Sequence, residues 1–320
     1  MKVIAIEEHF IHPTLYNEEG EGELGDHPIM VGIRKKLRDL GRGRIAEMDA
    51  AGIDVQVLSH AVPGAEALKP EEAHRASQAN DALADAISHH PDRFAGFAAL
   101  PIQAPDAAAD ELRRAVEELG LKGAMLNGLT TGRFLDDAAF QPVLAAAEAL
   151  RVPLYLHPAL PPKPVLDAYF SGLSDLQADN LATAAWGWHS ETALHLLRLI
   201  VSGVLDEYPD LQIIIGHMGE MIPFALSRID VVLTPINEQL RQPVADYFKT
   251  NVHITTSGYA TFPPLQCALA VLGADRIIFS VDHPYTPNEP MVNLLKTAPI
   301  DEADREKIAH GNVEKLLKLK

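Results

Sequence analysis

Eight short apolar runs, each followed by a stretch with the spacing of an amphipathic helix, constrain the fold of this chain most strongly. The runs are rich in Val, Ile, Leu and Phe, which is typical of strands buried on both faces of a parallel sheet. Eight strand–helix units fit a closed (β/α)8 TIM barrel better than an open sheet. We therefore predict an α/β fold with strands at residues 3–6, 55–60, 93–100, 123–128, 153–158, 212–219, 252–258 and 276–284.

The spacing between the runs predicts one domain with two long loops. No linker, low-complexity tract or block of like charge interrupts the alternation, so we expect residues 1–320 to form a single barrel domain. The connections at residues 10–42 and 159–190 are the long ones, and they follow the first and fifth strands. Loops after barrel strands build the rim of the active site, so we expect these two to form a lid or a substrate wall.

The charge balance and the cysteine count exclude several classes of protein. The chain has 44 acidic and 27 basic residues and a formal net charge of −17, so binding to a nucleic-acid backbone is not expected. No apolar run approaches the roughly 20 residues of a membrane helix, and the N-terminus has no signal-peptide pattern. The single cysteine, Cys267, cannot form an internal disulfide. We expect a cytoplasmic protein that binds neither nucleic acid nor membrane.

Polar residues stand at the C-terminal ends of four predicted strands. They are Glu7 and His9 on the first run, His157 on the fifth, His217 on the sixth and Asp282 on the eighth. Because side chains alternate along a strand, Glu7 and His9 share one face and Glu8 points to the other. The carboxyl ends of barrel strands meet on one face of the barrel. Imidazole and carboxylate groups are ligands that a borderline divalent metal such as zinc prefers, so the pattern predicts a metal site.

Each of these residues also has a structural interpretation when it is taken alone. A single histidine at a strand end, such as His157, is more often structural than a ligand. Glu220, three residues after His217, can orient that imidazole through its second nitrogen or can be an ordinary first-turn acid of the next helix. Asp282 can cap the helix that follows it. The shared position of these residues at one end of the barrel favours the metal site.

The order of these motifs resembles that of the amidohydrolase superfamily, with E-x-H on the first strand, lone histidines on the fifth and sixth, and Asp on the eighth. The segments IEEHF, YLHP, GHMGE, SRID and FSVDHPY are similar to those of its metal-dependent, non-oxidative aromatic acid decarboxylases. That branch includes the γ-resorcylate, 2,3-dihydroxybenzoate, 5-carboxyvanillate and aminocarboxymuconate semialdehyde decarboxylases. The similarity extends over nearly the whole chain, through IAEMDAAGID, PDRFAGFAALP, WGWHSETALHLLRL and ITTSG.

The resemblance implies a role for most of the motif residues. One divalent metal ion, zinc in the first place or manganese, would be held by four ligands: Glu7, His9, His157 and Asp282. His217 would lie beside the metal as a catalytic or orienting residue. Asn127 would line the substrate ring, and Arg228 would either reach the active site of a neighbouring subunit or pair on the surface. The working unit is then expected to be a homodimer or homotetramer.

Several residues keep more than one interpretation. Trp186 and Trp188 are candidates for the wall that binds the aromatic ring, for a subunit interface or for packing at the rim, and we assign Trp186 to the substrate. Ser227 and His283 depart from the family, where aromatic residues are usual, and the role of His283 stays open. His195, inside a helix pattern, is interpreted as structural.

The expected reaction is non-oxidative decarboxylation of a hydroxylated aromatic acid of the dihydroxybenzoate or carboxyvanillate type. The metal would chelate the carboxylate and the ortho-hydroxyl of the substrate. Asp282, with His217 and Glu220 as the other catalytic residues, would protonate the ring carbon before carbon dioxide leaves. The same residues are compatible with hydrolysis of a lactone or amide by a hydroxide on a single metal ion, or with a non-catalytic barrel that binds a ligand. These residues are common to the whole branch, so they do not identify which aromatic acid is the substrate.

Overall fold

The computed structural model describes residues 1–15 and 28–319. Residues 16–27, part of the predicted loop at 10–42, therefore lie outside the described residues. Within these two ranges, no helix has both the length and the apolar character needed to cross a membrane.

The strands of the described chain form one parallel barrel. β1, β2 and β3 pair in chain order, and so do β4 to β9, with every neighbouring pair parallel. A parallel bridge between Ile6 and Ser280 joins the last strand to the first. This is the predicted (β/α)8 barrel. The strands are β1 Ile4–Phe10, β2 Val55–His60, β3 Phe94–Gly96, β4 Ala98–Ala99, β5 Ala124–Asn127, β6 Leu154–His157, β7 Ile213–Ile215, β8 Val252–Thr255 and β9 Ile277–Ile278.

The third barrel strand is divided, whereas the sequence predicts one run at residues 93–100. β3 and β4 are separated by Phe97, whose N–H still donates to Leu58 O at 2.9 Å in the neighbouring strand. Phe97 is 1% exposed and packs in the interior of the barrel. The division therefore changes the hydrogen-bond pattern locally and leaves eight strand positions around the barrel.

Helices follow the strands and cover the outside of the barrel. They are α1 Pro28–Leu37, α2 Arg42–Ala51, α3 His74–His89, α4 Pro105–Glu117, α5 Gln141–Leu150, α6 Lys163–Tyr169, α7 Asp175–Ala182, α8 Gly187–Val201, α9 Val204–Glu207, α10 Ile222–Leu233, α11 Val244–Thr250, α12 Phe262–Leu272, α13 Asn288–Thr297, α14 Glu302–Glu306 and α15 Asn312–Leu317. α2 ends at Gly52, whose φ of 82° lets its N–H reach Met48 O and Asp49 O, a left-handed ending that glycine adopts without strain.

Side-chain alternation along the strands produces two apolar layers. Ile4 and Ile6 point into the barrel, where they join a cluster that includes Tyr155 and Ile214. Ala5, between them, belongs to the larger cluster under the helices. Because both strand faces are buried, the strands have the nearly continuous apolar character that parallel sheets require.

The two long connections contain helices. α1 lies in the connection after β1, and α6 and α7 lie in the connection after β6, the fifth strand position. Met30 and Arg34 of the first connection and Asn180 and Thr183 of the second line the same cavity at the end of the barrel. Both connections therefore form walls of that cavity, as predicted.

Candidate metal centre and active site

Three of the predicted ligands converge at the carboxyl end of the strands. One ligand-type atom from each of Glu7, His9 and His157 lies within 4.8 Å of the other two, and all three side chains are buried. Glu7 Oε1 is 3.6 Å from His157 Nε2. The imidazole rings of His9 and His157 meet edge to face with centroids 4.8 Å apart.

Glu7 faces this cluster because β1 is irregular at that point. The pairing with β2 shifts between Ile6 and Glu8, and Glu7 has a φ of 66°. Its Oε2 accepts hydrogen bonds from the Tyr155 hydroxyl and from Thr255 Oγ1, the latter at 3.2 Å. A β-bulge redirects side chains in this way next to active sites. Alternation correctly places Glu7 and His9 together and Glu8 apart. However, continued from Ile4 and Ile6 it would put Glu7 outside with Ala5, so it is the bulge that brings Glu7 and His9 to the inner face.

Gly216 gives Glu7 the space that it occupies. A Cβ at position 216 would lie 2.9 Å from both carboxylate oxygens of Glu7. A larger residue would therefore push this carboxylate away from His157 and His217.

His217 and Glu220 form a second cluster with His189. The Nδ1 of His217 donates to Glu220 Oε1 at 2.9 Å, and the Nδ1 of His189 donates to Glu220 Oε2 at 2.6 Å. The HMGE segment is a tight turn in which His217, Met218 and Glu220 have positive φ. Helix α10 begins only at Ile222, so Glu220 acts here as the orienting acid and not as a first-turn acid.

Asp282 lies between the two clusters. Its Oδ1 is 3.3 Å from His9 Nε2, and its Oδ2 is 3.9 Å from His217 Nε2. The next helix, α13, begins at Asn288, so Asp282 is not the cap of that helix. Its φ of 72° is unusual for a residue with a side chain.

The electrostatic environment separates the charged groups of the site. Burial lowers the pKa of His157 well below the usual histidine value and raises the pKa of Glu7. Burial also lowers the pKa of His217, but the carboxylates of Glu220 and Glu7 outweigh this and hold it well above the usual value. Burial raises the pKa of Asp282, but the neighbouring imidazoles of His217 and His9 outweigh burial and hold it below the usual range. The site thus combines a neutral imidazole, a charged imidazole and a carboxylate.

The unpaired atoms of the first cluster fit a divalent metal ion. Glu7 Oε1, both ring nitrogens of His9 and Nδ1 of His157 are buried without a hydrogen-bond partner. Each such buried polar atom costs about 1–3 kcal/mol. Two imidazoles and carboxylate oxygens are a donor set that both zinc and manganese accept.

The site opens into a cavity of about 670 Å³. Its walls include His9, His157, His217 and Asp282 together with Trp188, Tyr259 and Tyr285. The indole Nε1 of Trp188 is buried without a hydrogen-bond partner, so it can donate to a ligand oxygen. A cavity of this volume with aromatic walls and few polar groups is typical of a small-molecule site.

Comparison with known proteins identifies the family. A sequence profile described as "Amidohydrolase" matches residues 9–319 of the chain. The chain belongs to the amidohydrolase family. It is 38% identical to a γ-resorcylate decarboxylase of Polaromonas sp. strain JS666 over 330 residues, which cover 99% of this chain and 98% of that protein.

Solved structures show the same similarity. A dihydroxybenzoic acid decarboxylase from Polaromonas sp. JS666, solved with manganese and the inhibitor 2-nitroresorcinol, has a TM-score of 0.90 and 38% identity over 99% of this amidohydrolase and 97% of that chain. A 5-carboxyvanillate decarboxylase from Sphingomonas paucimobilis has a TM-score of 0.91 and 32% identity over 100% of this chain and 99% of that chain. The resemblance to the decarboxylase branch is thereby confirmed.

Three residues predicted to bind the substrate lie outside the described cavity wall of this amidohydrolase. The backbone N–H of Asn127 donates to Glu66 Oε1 at 2.8 Å, and its side-chain amide donates to Glu66 Oε2 at 3.1 Å. Asn127 Oδ1 is buried without a partner, so this is the atom left for a ligand. Arg228 is exposed on α10, and Trp186 is 52% exposed beside the apolar grooves outside the cavity.

Several residues of the amidohydrolase site are missed by the sequence argument. His189, Tyr259, Tyr285 and Arg34 all line the cavity, as does Trp188, one of the two tryptophans that the sequence names as candidates for the ring-binding wall. His189 lies at the start of α8 and has no strand-end signal, so only its contact with Glu220 reveals its position. Tyr259, Tyr285 and Arg34 belong to connections between strands, where periodicity carries little information.

Two further histidines of the amidohydrolase have structural contacts. The Nε2 of His195 accepts a hydrogen bond from the backbone N–H of Leu135 at 3.0 Å, in agreement with the structural interpretation. His283 is 2% exposed, and its Nε2 is 3.7 Å from Glu47 Oε2, on the side of a groove outside the cavity.

Proposed function

We propose that this amidohydrolase is a carboxy-lyase that decarboxylates a hydroxylated aromatic carboxylic acid with the help of one divalent metal ion. The observation that carries the proposal is the group of buried, unpaired ligand atoms of Glu7, His9 and His157 at the end of a cavity with aromatic walls. Similarity to decarboxylases over the full chain supports the reaction type. Residues 1–320 would act together as one catalytic domain.

Glu7, His9, His157 and Asp282 would hold the metal ion. When bound, the ion would supply a Lewis acid for the substrate's carboxylate and ortho-hydroxyl oxygens. Manganese and zinc are both compatible with this set of donors. The manganese bound in the Polaromonas decarboxylase supports manganese, and metal analysis of the purified protein decides between them.

Asp282 is the proposed proton donor to the ring. An anionic substrate in the cavity raises the pKa of this carboxylate, and the proton can come from His217, 3.9 Å from Asp282 Oδ2. Asp282 gives the proton to the ring carbon that bears the carboxylate. The bond between that carbon and the carboxylate then breaks, its electron pair stays with the ring and carbon dioxide leaves.

The orientation of the proton-transfer groups depends on hydrogen bonds among His217, Glu220 and His189. Glu220 is 1% exposed and accepts from one ring nitrogen of each histidine. Burial raises the pKa of Glu220, but His217 and His189 outweigh burial and lower it, so the carboxylate stays ionised between them. This arrangement fixes the orientation of the His217 ring toward Asp282.

The decisive experiment is a decarboxylation assay with manganese- or zinc-loaded protein. γ-Resorcylate and 5-carboxyvanillate are the substrates to compare, with carbon dioxide and the ring product measured by chromatography. Release of carbon dioxide from either acid, and no hydrolysis of aryl lactones, is the expected result. Lactone or amide hydrolysis without decarboxylation would instead identify a single-metal hydrolase.

Arg34 is the proposed contact for a second anionic group of the substrate. Met30, Arg34 and Leu37 line the cavity at helical spacing, so one face of α1 forms this wall. The guanidinium geometry matches a carboxylate or phenolate oxygen pair. A substrate with an acidic substituent away from the reacting carboxylate, such as 5-carboxyvanillate, would make this contact.

We expect Arg34→Leu to lower kcat/KM for 5-carboxyvanillate by roughly 10- to 100-fold, mainly through KM, because a charge-assisted hydrogen bond is lost. The kcat/KM for γ-resorcylate, which lacks a second carboxylate, should change by no more than about threefold. Steady-state kinetics of the two acids measure the difference, and Lys35→Leu on the exposed side of α1 is the matched control. Equal losses for both acids would contradict the role of Arg34.

The exposed face of α10 is the proposed contact with a second copy of the chain. Phe224 and Val231 are 88% and 68% exposed, and Arg228 lies between them on the same helical stripe. Large apolar side chains exposed on one face of a helix are typical of an interaction site. A homodimer or homotetramer built on this face would bring Arg228 toward a neighbouring subunit.

We expect Phe224→Asp to dissociate the oligomer into monomers at micromolar concentration, because a charge would be buried at the interface. Light scattering during size-exclusion chromatography measures the mass, with Phe224→Leu as the control that keeps the apolar surface. A monomeric wild-type protein, or an unchanged mass for Phe224→Asp, would contradict the proposed interface.

A further inference from the structure

Glu8 is a buried carboxylate at the site that the proposed reaction does not use. It lies between Glu7 and His9 on β1, is fully buried and is not among the residues that line the cavity. A carboxylate in such a place needs hydrogen-bond donors from the surrounding protein.

The two oxygens of Glu8 bind the backbone on both sides of Asp282. Oε1 accepts from the N–H of Val281 at 2.9 Å, and Oε2 accepts from the N–H of His283 at 3.3 Å. Asp282 itself has a φ of 72°, a conformation that residues other than glycine rarely adopt. Such a conformation persists only where the surroundings fix the backbone.

The side chains of Gln56 and Arg44 form hydrogen bonds that hold Glu8 in place. The side-chain amide of Gln56 donates to Glu8 Oε2 at 3.3 Å, and Nη1 of Arg44 donates to Gln56 Oε1 at 3.2 Å. Nη2 of Arg44 donates to the carbonyl of His9 at 2.6 Å. The same network therefore reaches the backbone of His9 on the first strand and the backbone on both sides of Asp282 after the last.

We propose that Glu8 is a positioning residue, which fixes the backbone turn at Asp282 and thereby aims its carboxylate at the metal centre. This inference rests on the proposed function, because it needs Asp282 to be a ligand. Pairing with the buried charge of Arg44 alone would not require both oxygens to bind backbone N–H groups beside Asp282. Arg44 also donates to the carbonyls of Asp39 at 2.7 Å and Lys36 at 3.2 Å, so its hydrogen bonds are largely satisfied by backbone.

Glu8→Gln tests the inference through metal affinity. The amide keeps one acceptor oxygen but places its NH2 group against a backbone N–H, so one of the two bonds is lost. We expect the dissociation constant for Mn²⁺, measured by competition with a fluorescent chelator, to rise roughly 10- to 100-fold. Glu111→Gln is the matched control, since Glu111 is 6% exposed and accepts from Asn80 at 2.7 Å, on helices α3 and α4. Its Mn²⁺ affinity should stay at the wild-type value.

A double-mutant cycle with Asp282→Asn separates a positioning role from general destabilisation. If Glu8 acts through Asp282, Glu8→Gln should weaken Mn²⁺ binding in the wild-type background and have no more than about a threefold effect in the Asp282→Asn background. Equal effects in both backgrounds, or wild-type affinity in Glu8→Gln, would overturn the inference. If Glu8→Gln does not give folded protein, Glu8→Asp replaces it, because the shorter carboxylate cannot reach both N–H groups.

The same measurements separate this inference from the proposed function. Weak Mn²⁺ binding by the wild-type protein, or an affinity that Asp282→Asn does not change, would contradict the proposed metal centre. Tight binding that depends on Asp282 and not on Glu8 would contradict the positioning role alone.

Discussion

Asp282→Asn is expected to lower kcat for decarboxylation by at least about 1,000-fold, since the variant loses the proposed proton donor. The amide has nearly the same shape but is neutral and a weaker metal ligand, so the fold should survive, and so should the binding of aromatic ligands once the site is saturated with metal. Steady-state kinetics measure the loss, and binding of 2-nitroresorcinol measures the integrity of the cavity.

Metal content has to be followed in the same samples, because Asp282 is also a proposed ligand. Comparing the turnover of the wild-type and variant proteins at saturating manganese separates loss of the metal from loss of the proton donor. Asp301→Asn, at an exposed position in the turn before α14, is the control for an Asp-to-Asn change outside the site. Turnover within tenfold of the wild-type value in metal-loaded Asp282→Asn would refute the proton-donor role.

Removing His157 should abolish both metal binding and turnover. In the wild-type protein, manganese at 100 times its dissociation constant should add about 2.7 kcal/mol to the free energy of unfolding. This corresponds to an increase in Tm of about 4 °C in a protein of this size. In His157→Ala the increase should disappear, because one of the converging ligands is lost, and decarboxylation should fall to background.

His195→Ala is the matched control for this experiment. His195 is 3% exposed and His157 is 5% exposed, so both substitutions remove a buried imidazole. The His195 ring accepts from the backbone of Leu135, on the outer side of the barrel, and its loss should lower Tm without removing the manganese-dependent increase. A manganese-dependent increase that survives in His157→Ala would mean that the metal is bound elsewhere.

Much of the fold is predictable from the periodicity of the sequence. Strands buried on both faces produce continuous apolar runs, and the polar residues that end those runs must lie at one end of a parallel barrel. For this reason the sequence alone predicts the strand-end residues Glu7, His9, His157, His217 and Asp282. The division of the third strand at Phe97 has no such signal, because a buried aromatic residue fits both a continuous strand and a break.

The substrate wall is less predictable than the metal-binding end. Trp188, with its unpaired indole N–H, lines the cavity, whereas Trp186, two residues earlier, lies outside it. The sequence WGWH contains no signal that separates the two, because both lie at the N-terminal end of α8, whose direction is set by packing. Asn127 likewise ends its strand as predicted, but its contacts with Glu66 come from a connection after β2.

The barrel, the family and the strand-end residues follow from the sequence alone, because each of these depends on local periodicity and on motifs along one stretch of chain. The direction of the functional side chains comes from tertiary contacts. The bulge that turns Glu7 inward, the pairing of His189 with Glu220 and the contact of Glu8 with the turn at Asp282 all join elements that are distant in sequence. The physical reason is that hydrogen bonds between different strands and loops fix direction, whereas the pattern of apolar residues fixes only which face of an element is buried.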